Sequence, residues 1–357
     1  MAPNPPATLA DAERALVAWG FAGAGLSRIS GGLINDTFGV QHAGSEWVLQ
    51  RVNPIFSELV QSNILAVTEH LAKKGLPTPR LVPNREGSYF SRLDGQVWRI
   101  LTRINGVSLK RPDVHSAALA GQSLGIFHTA LADLDHSFQG LRTGVHDTAA
   151  HLNRLKLALN GPTRHRLFPE VSILGEALLR SAEQLPVLTD ELPRLVHGDP
   201  KFDNLLFSPE KPQLAVCWID LDTVGPASLA SELGDAWRSW CNLKGENEAQ
   251  AEFSLAIYES SLSGYASATG ALSFEAQELL VHGVEWITLE LAARFLRDAL
   301  EEAYFGWDPL RFPGAGEHQL LRARGQWSLH QQVLTNRKQR ADMLHDAFHR
   351  RTPSPCV

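Results

Sequence analysis

The first hundred residues read as short β-like runs set off by turn signals. Leu26 to Ser30 leads into Gly31-Gly32, and the runs Thr37 to Gln41 and Glu46 to Val52 predict two strands joined by a turn at Ala43-Gly44-Ser45. From Glu58 to Lys74 the period changes. Leu59, Val60, Ile64, Leu65, Val67 and Leu71 fall on one helical stripe, with Ser57 as its N-cap and Gly75 as its stop. Further strands are expected near Arg80 to Pro83, Ser88 to Arg92 and Gln96 to Arg103, the last broken at Asn105-Gly106. The pattern predicts a small antiparallel sheet with one helix after its third strand.

Beyond Gly106 the apolar periodicity is helical over long stretches: Val114 to Leu134, Thr148 to Leu159, Val171 to Leu185, Ser231 to Trp240, Ala249 to Ala268, Phe274 to Leu300 and His318 to His349. Only Leu195 to Asp222 interrupts them with short β-like runs. The expectation is an α+β chain of two lobes, residues 1–105 and 106–357, without internal repeats.

Composition narrows the class. A chain of 357 residues exceeds the usual size of one compact core, and no apolar run approaches the ~20 residues that span a bilayer. A net charge of −6 with scattered Lys and Arg argues against nucleic acid as a partner. Cys217, Cys241 and Cys356 show neither metal-ligand nor redox spacing, which fits reduced thiols. Met1 to Thr8 lacks the basic start and apolar core of a secretory signal and reads as a disordered lead-in, so a cytoplasmic location is expected.

The most specific segment is Val196-His197-Gly198-Asp199-Pro200-Lys201-Phe202-Asp203-Asn204-Leu205-Leu206-Phe207. Phosphoryl transfer from ATP needs a carboxylate to orient and deprotonate the attacking hydroxyl, plus an oxygen ligand for the metal that neutralises the phosphates. Asp199 and Asn204, five apart on a tight loop between apolar runs, supply both. Val216 to Asp222 then reads as an apolar strand ending in two acids, and on an ideal strand Asp220 and Asp222 share a face toward one cation. Taken singly, each of these residues is equally well an ordinary turn or strand end. Their joint order points to Mg2+-ATP chemistry.

The His-Gly-Asp-x-x-x-x-Asn loop and the Ile219-Asp220-Leu221-Asp222 segment resemble the aminoglycoside phosphotransferase and choline kinase family. That resemblance implies a bilobal protein-kinase-like fold, Asp199 as catalytic base, and Asn204 and Asp220 as magnesium ligands with help from Asp222. Lys201 would face the transferring phosphate. A narrower resemblance, to N-acetylhexosamine 1-kinases, rests on Gly32 to Phe38, Val48 to Asn53, the catalytic loop, Ile219 to Thr223, Leu233 to Arg238, Leu289-Glu290 and Arg294 to Leu296. It implies a sugar as the small-molecule acceptor, phosphorylated at its anomeric hydroxyl. Homoserine, choline or ethanolamine, and aminoglycosides are the other acceptors in view, and a catalytically silent nucleotide-binding regulator is a further alternative. The sequence leaves the oligomeric state open.

At the nucleotide end, Gly31 and Gly32 let backbone approach phosphate, although two glycines between strands are equally an ordinary turn. The lysine that kinases carry on their third strand is replaced here by Gln50. Arg51 points to the other face of an ideal strand. It either reaches phosphate through its long stem or is an exposed strand charge, and neither Glu58 nor Glu69 stands out as its helix partner. Asn35, Thr37, Gln50, Arg51 and Arg103 complete the expected nucleotide contacts, with adenine against Thr102 to Asn105. At the acceptor end, Asp235, Arg238 and Arg294 are candidates to line the cleft. The bland readings are capping for the first two, and a surface ion pair with Glu290 for the third.

Overall fold

The computed structural model describes residues 5–29, 34–142, 144–161, 164–187, 193–211 and 214–349. Its first element is a helix that the periodicity reading did not anticipate. The Asp11 N–H donates to the Thr8 hydroxyl while the Thr8 N–H donates to the Asp11 carboxylate, a reciprocal cap that starts α1 (Leu9–Leu16). Ala12, Ala15 and Leu16 then pack into one cluster with Phe38, Val40, Leu49, Trp98 and Ile100 of the sheet that follows.

That sheet is wholly antiparallel. Its strands β1 (Gly25–Arg28), β2 (Asp36–His42), β3 (Ser45–Arg51), β4 (Ser91–Leu93) and β5 (Gln96–Thr102) run in the order β1-β2-β3-β5-β4. The strand expected near Arg80 to Pro83 shrinks to a single bridge, Leu81 to Leu101, because Pro79 and Pro83 have no N–H to give the ladder. Leu49 and Ile100 point to the α1 face, so Gln50 and Arg99, directly opposed across β3 and β5, point to the other. α2 (Val60–Lys73) follows β3 as expected, although Ser57 caps only the turn before it, accepting from the Leu59 N–H at 3.3 Å.

The larger lobe is mostly helical. β6 (Val107–Ser108) leads into α3 (Val114–Leu131), α4 (Thr148–Leu159) and α5 (Phe168–Ala182). The short strands β7 (Pro193–Val196), β8 (Leu205–Phe207), β9 (Ala215–Trp218) and β10 (Gly225–Ser228) form a β6-β8-β9 sheet and a β7-β10 pair. α6 (Leu229–Trp240), α7 (Leu255–Ala268) and α8 (Phe274–Glu301) build the core with α3. α3 and α7 cross so closely that a methyl on Gly121 would sit 1.8 Å from the Ser261 carbonyl oxygen. α6 and α8 cross at Gly283 in the same way, 2.1 Å from the Ala230 oxygen.

The helix expected from His318 to His349 is two helices, α9 (Ala315–Thr335) and α10 (Arg337–His349), parted at Asn336. Buried Glu285 of α8 explains the break: it accepts from Arg337 at 2.8 Å and from Arg340 at 2.6 Å, which pins the start of α10 onto the lobe. A small antiparallel-sheet lobe against a larger helical lobe is a bilobal kinase-like fold. No described helix is long and apolar enough to cross a membrane.

Candidate active site

The loop between β7 and β8 is held from beneath by groups far away in sequence. His197 is fully buried, and its Nε2 lies 2.8 Å from the Ile219 carbonyl while Nδ1 accepts from the Asp199 N–H at 3.3 Å. Burial pulls its pKa down, so the ring is a neutral strut that links Asp199 to the end of β9. Gly198 adopts a left-handed φ of 80°, and a Cβ there would meet the Thr223 carbonyl oxygen at 2.5 Å. Only glycine fits on both counts. Glu232 of α6, also buried, takes the two backbone N–H groups of His197 and Gly198 on its two oxygens at 2.9 and 3.0 Å.

On this platform Asp199 lies partly open to solvent. Lys201 Nζ donates to its Oδ2 at 2.9 Å, and the Asn204 amide donates to the Asp199 carbonyl at 2.9 Å. Burial works against the Lys201 charge, but the carboxylates of Asp199 and Asp235 outweigh it, so the ammonium is held more firmly than usual. With its NH2 committed to Asp199, Asn204 keeps Oδ1 for another partner. The Ile219 N–H donates to the Asn204 carbonyl at 2.8 Å, which sets Asn204 beside the acid pair.

The acid pair is not built as a strand end. β9 stops at Trp218, Asp220 is left-handed with φ 63°, and Leu221–Thr223 is a single 3-10 turn. The ideal-strand argument for a shared face therefore does not apply, yet the two carboxyls converge and share a hydrogen bond. Their environments separate them. Burial, reinforced by the charges of Asp222 and Asp199, pushes the Asp220 carboxyl well above the usual carboxylate range. Asp222 is also buried, but the Arg99 guanidinium and the Asn35 amide hold it below that range. Arg99 meets both its oxygens, at 2.6 and 2.9 Å, and Asn35 Nδ2 adds a third contact at 2.6 Å. As a candidate metal ligand, Asp222 is thus already held by Arg99 and Asn35, whereas Asp220 meets Asp222.

The nucleotide candidates divide sharply. Asn35 ties the strand entry to Asp222, and its Oδ1 accepts from the Asn53 N–H at 2.9 Å. Gln50 bridges Thr37 and Arg99, donating to the Thr37 hydroxyl at 3.3 Å and accepting from Arg99 at 2.7 and 2.9 Å. Arg51 faces away from them: its guanidinium binds Asp36 at 2.6 and 3.0 Å and the Pro5 carbonyl at 2.5 Å. Arg103, half-exposed, lies 3.5 Å from Glu46. Gly31 and Gly32 lie outside the described residues. Glu58 and Glu69 turn to Arg92 and Arg80, while Gln61 of α2 reaches Arg99.

On the acceptor side, Asp235 and Arg238 are buried and paired at 2.8 Å, so they are more than solvated caps. Despite the cost of burial, Asp235 is held low, mainly by Arg238 and then by His146. Glu290, expected to form a surface pair, is 1% exposed, accepts from the Thr148 hydroxyl at 2.6 Å and lies 3.3 Å from His146. Arg294 approaches Glu290 only to 3.6 Å and lies over the rings of Tyr304 and Phe305. His146, Thr148 and Tyr304 escaped sequence reading because no motif carries them: only the fold brings the start of α4 to Glu290 and the turn after α8 to Arg294. A cavity of about 360 Å³ lies elsewhere: an apolar space behind β9, lined by Leu71, Leu119, Phe127 and Trp218.

A sheet lobe over a helical lobe, with an Asp-Asn loop beside a buried acid pair, is the arrangement of a kinase-like fold. Residues 25–268 match the phosphotransferase enzyme family, and the chain belongs to that family.

Among curated proteins it is similar to a homoserine kinase of Beijerinckia indica subsp. indica, 30% identical over 191 residues. Those residues cover 52% of this chain and 56% of that protein, so the chain spans little more than half of that relative's length. A homoserine kinase of a Methylobacterium species is 26% identical over 65% of the chain and 70% of its own length. Two solved structures share the fold. An aminoglycoside phosphotransferase from Alicyclobacillus acidocaldarius has a TM-score of 0.63 at 15% identity, covering 96% of this chain and 98% of that one. A microcompartment-associated aminopropanol kinase has a TM-score of 0.61 at 16% identity, covering 92% and 98%.

Proposed function

We propose that the enzyme transfers the γ-phosphoryl group of Mg-ATP to the hydroxyl of a small neutral acceptor, an N-acetylhexosamine at its anomeric position. The observation that carries this reading is the charge balance beside Asp199. Asp235 is paired with Arg238, which also meets Glu246, and Glu290 is held by His146 and the Thr148 hydroxyl. Paired, fixed charges suit hydroxyl and amide groups, which need donors and acceptors in place. They suit a polycationic aminoglycoside poorly, since that calls for surplus negative charge. The motif resemblance through Leu233 to Arg238 and Arg294 to Leu296 supports the same acceptor.

In this reading Lys201 holds Asp199 Oδ2, so Oδ1 faces the acceptor hydroxyl. Asp199 takes the hydroxyl proton as the new P–O bond forms and the bond to the bridging oxygen of ADP breaks. Lys201 offsets charge on the transferring group. Among the described residues no three His, Cys, Asp or Glu side chains are arranged to hold a metal alone. Magnesium nonetheless fits the donor set, because it commonly takes one or two protein oxygens and fills its shell with phosphate and water. Asn204 Oδ1 and Asp220 would hold it, and its chemistry would be to neutralise and orient the phosphates.

A second reading, an amino-alcohol or homoserine acceptor, is favoured by the homoserine kinase relatives and by the loosely held Arg294, which suits a carboxylate. Purified protein with Mg-ATP, screened against N-acetylhexosamines, homoserine, choline and an aminoglycoside, separates the two. Turnover of N-acetylhexosamines at the anomeric hydroxyl is expected. Turnover of homoserine alone would overturn the sugar acceptor and leave the kinase chemistry standing.

A further inference from the structure

The missing third-strand lysine has a counterpart one strand away. Gln50 and Arg99 are directly opposed in the β3-β5 register, so the two side chains leave the sheet side by side. Arg99 is 1% exposed, and all five of its N–H groups are engaged: Gln50 takes two, Asp222 two and Gln61 of α2 one. Kinases pair a β3 lysine with a helix glutamate at this place. Here both members are neutral glutamines, Gln50 and Gln61, and the positive charge has moved to β5.

We propose that Arg99 is the positioning residue that stands in for that lysine, clamping the sheet lobe onto Asp222 and leaving Asp220 as the carboxylate that would take magnesium. Its donors are used up, so it acts through Asp222 rather than by gripping phosphate. The clamp joins residues 123 apart in sequence, and it rests on the kinase reading above.

The test compares wild type, Arg99→Lys, Arg99→Gln and the charge-transfer variant Gln50→Lys/Arg99→Gln. Each is checked for folding by circular dichroism and titrated calorimetrically with ADP, with and without Mg2+. Arg99→Gln should lose the Mg2+-dependent gain in ADP affinity while its metal-free ADP affinity stays within about twofold, and kcat should fall about 100-fold, as misplacement of a reacting group does. Arg99→Lys, which keeps the charge and restores folding should the glutamine variant fail to fold, should retain part of the Mg2+-dependent gain. Gln50→Lys/Arg99→Gln should recover it.

A folded Arg99→Gln that binds Mg-ADP like wild type would overturn the proposal. So would a folded double variant no better than Arg99→Gln, or, where Arg99→Gln does not fold, no better than a lysine variant without the gain. The titration stands whatever the acceptor proves to be, so failure of the sugar assignment leaves this result readable.

Discussion

Glu232 accepts the backbone N–H of His197 at 2.9 Å and, through its other oxygen, that of Gly198 at 3.0 Å. The loop that carries Asp199 is thereby anchored to α6, which also carries Asp235 and Arg238. A buried carboxylate satisfying two buried donors is costly to replace, since each orphaned N–H costs ~1–3 kcal/mol. Glu232→Ala should lower the melting temperature by several degrees and cut kcat more than it raises KM for ATP. Thermal melts and steady-state kinetics on one preparation check this.

Asp199→Asn keeps the shape of the loop and removes the base. ADP affinity and melting temperature should stay near wild type while kcat drops about 100- to 10,000-fold, the usual yield of general base catalysis. Single-turnover assays give the answer, and near-normal turnover would remove Asp199 from its proposed role.

Burial of Asp220 penalises its charged form. Its folded-state carboxyl holds a proton more tightly than an unfolded one, first through burial and then through Asp222 and Asp199. For such an acid, stability is present at low pH and is lost as pH rises from the unfolded value through the raised folded one. Asp220→Asn should therefore stabilise the metal-free protein at pH 8, by ~1 kcal/mol or more, and abolish Mg2+ binding. Wild-type Mg2+ affinity should fall as pH drops below neutral. Melts at pH 5 and 8 test the first point: equal shifts at both would contradict it.

Glu285 has the opposite sign. Burial alone would raise its pKa, but His282, Arg337 and Arg340 bring it down to about 2. Its contribution is present above the ordinary glutamate value and is lost as pH falls toward 2. Glu285→Gln leaves Arg340 buried without its counter-charge and should cost ~3–5 kcal/mol. Hydrogen exchange should show α10 opening before the rest of the lobe.

Gly283 is where α8 lets α6 approach. Gly283→Ala forces the helices apart, since its methyl would lie 2.1 Å from the Ala230 oxygen. Overpacking of this kind costs ~1–3 kcal/mol. Because α6 carries Glu232, Asp235 and Arg238, activity should fall along with stability, with a larger rise in acceptor KM than in ATP KM. A variant with lowered melting temperature and unchanged acceptor KM would show that α6 tolerates the shift.

Residues close in sequence could be read without a structure. The helical stripe of α2, the bounds of α4 from Thr148 to Leu159, and the three-stranded start of the sheet follow from periodicity, because each depends on neighbours within a few residues. Asp199, Lys201 and Asn204 are legible for the same reason: one loop carries all three. Tertiary structure alone decided which long-range partner each charge takes. Arg51 went to Asp36, Asp222 to Arg99, Glu290 from an expected surface pair into the core with Thr148 and His146, and Glu232 beneath His197. Periodicity says which face a side chain leaves from, but the pairing of buried charges is set by desolvation, and that depends on which distant segments the fold brings against them. The sequence by itself determined which residues the loop carries; the packing of the two lobes decided which acid of the pair Arg99 holds.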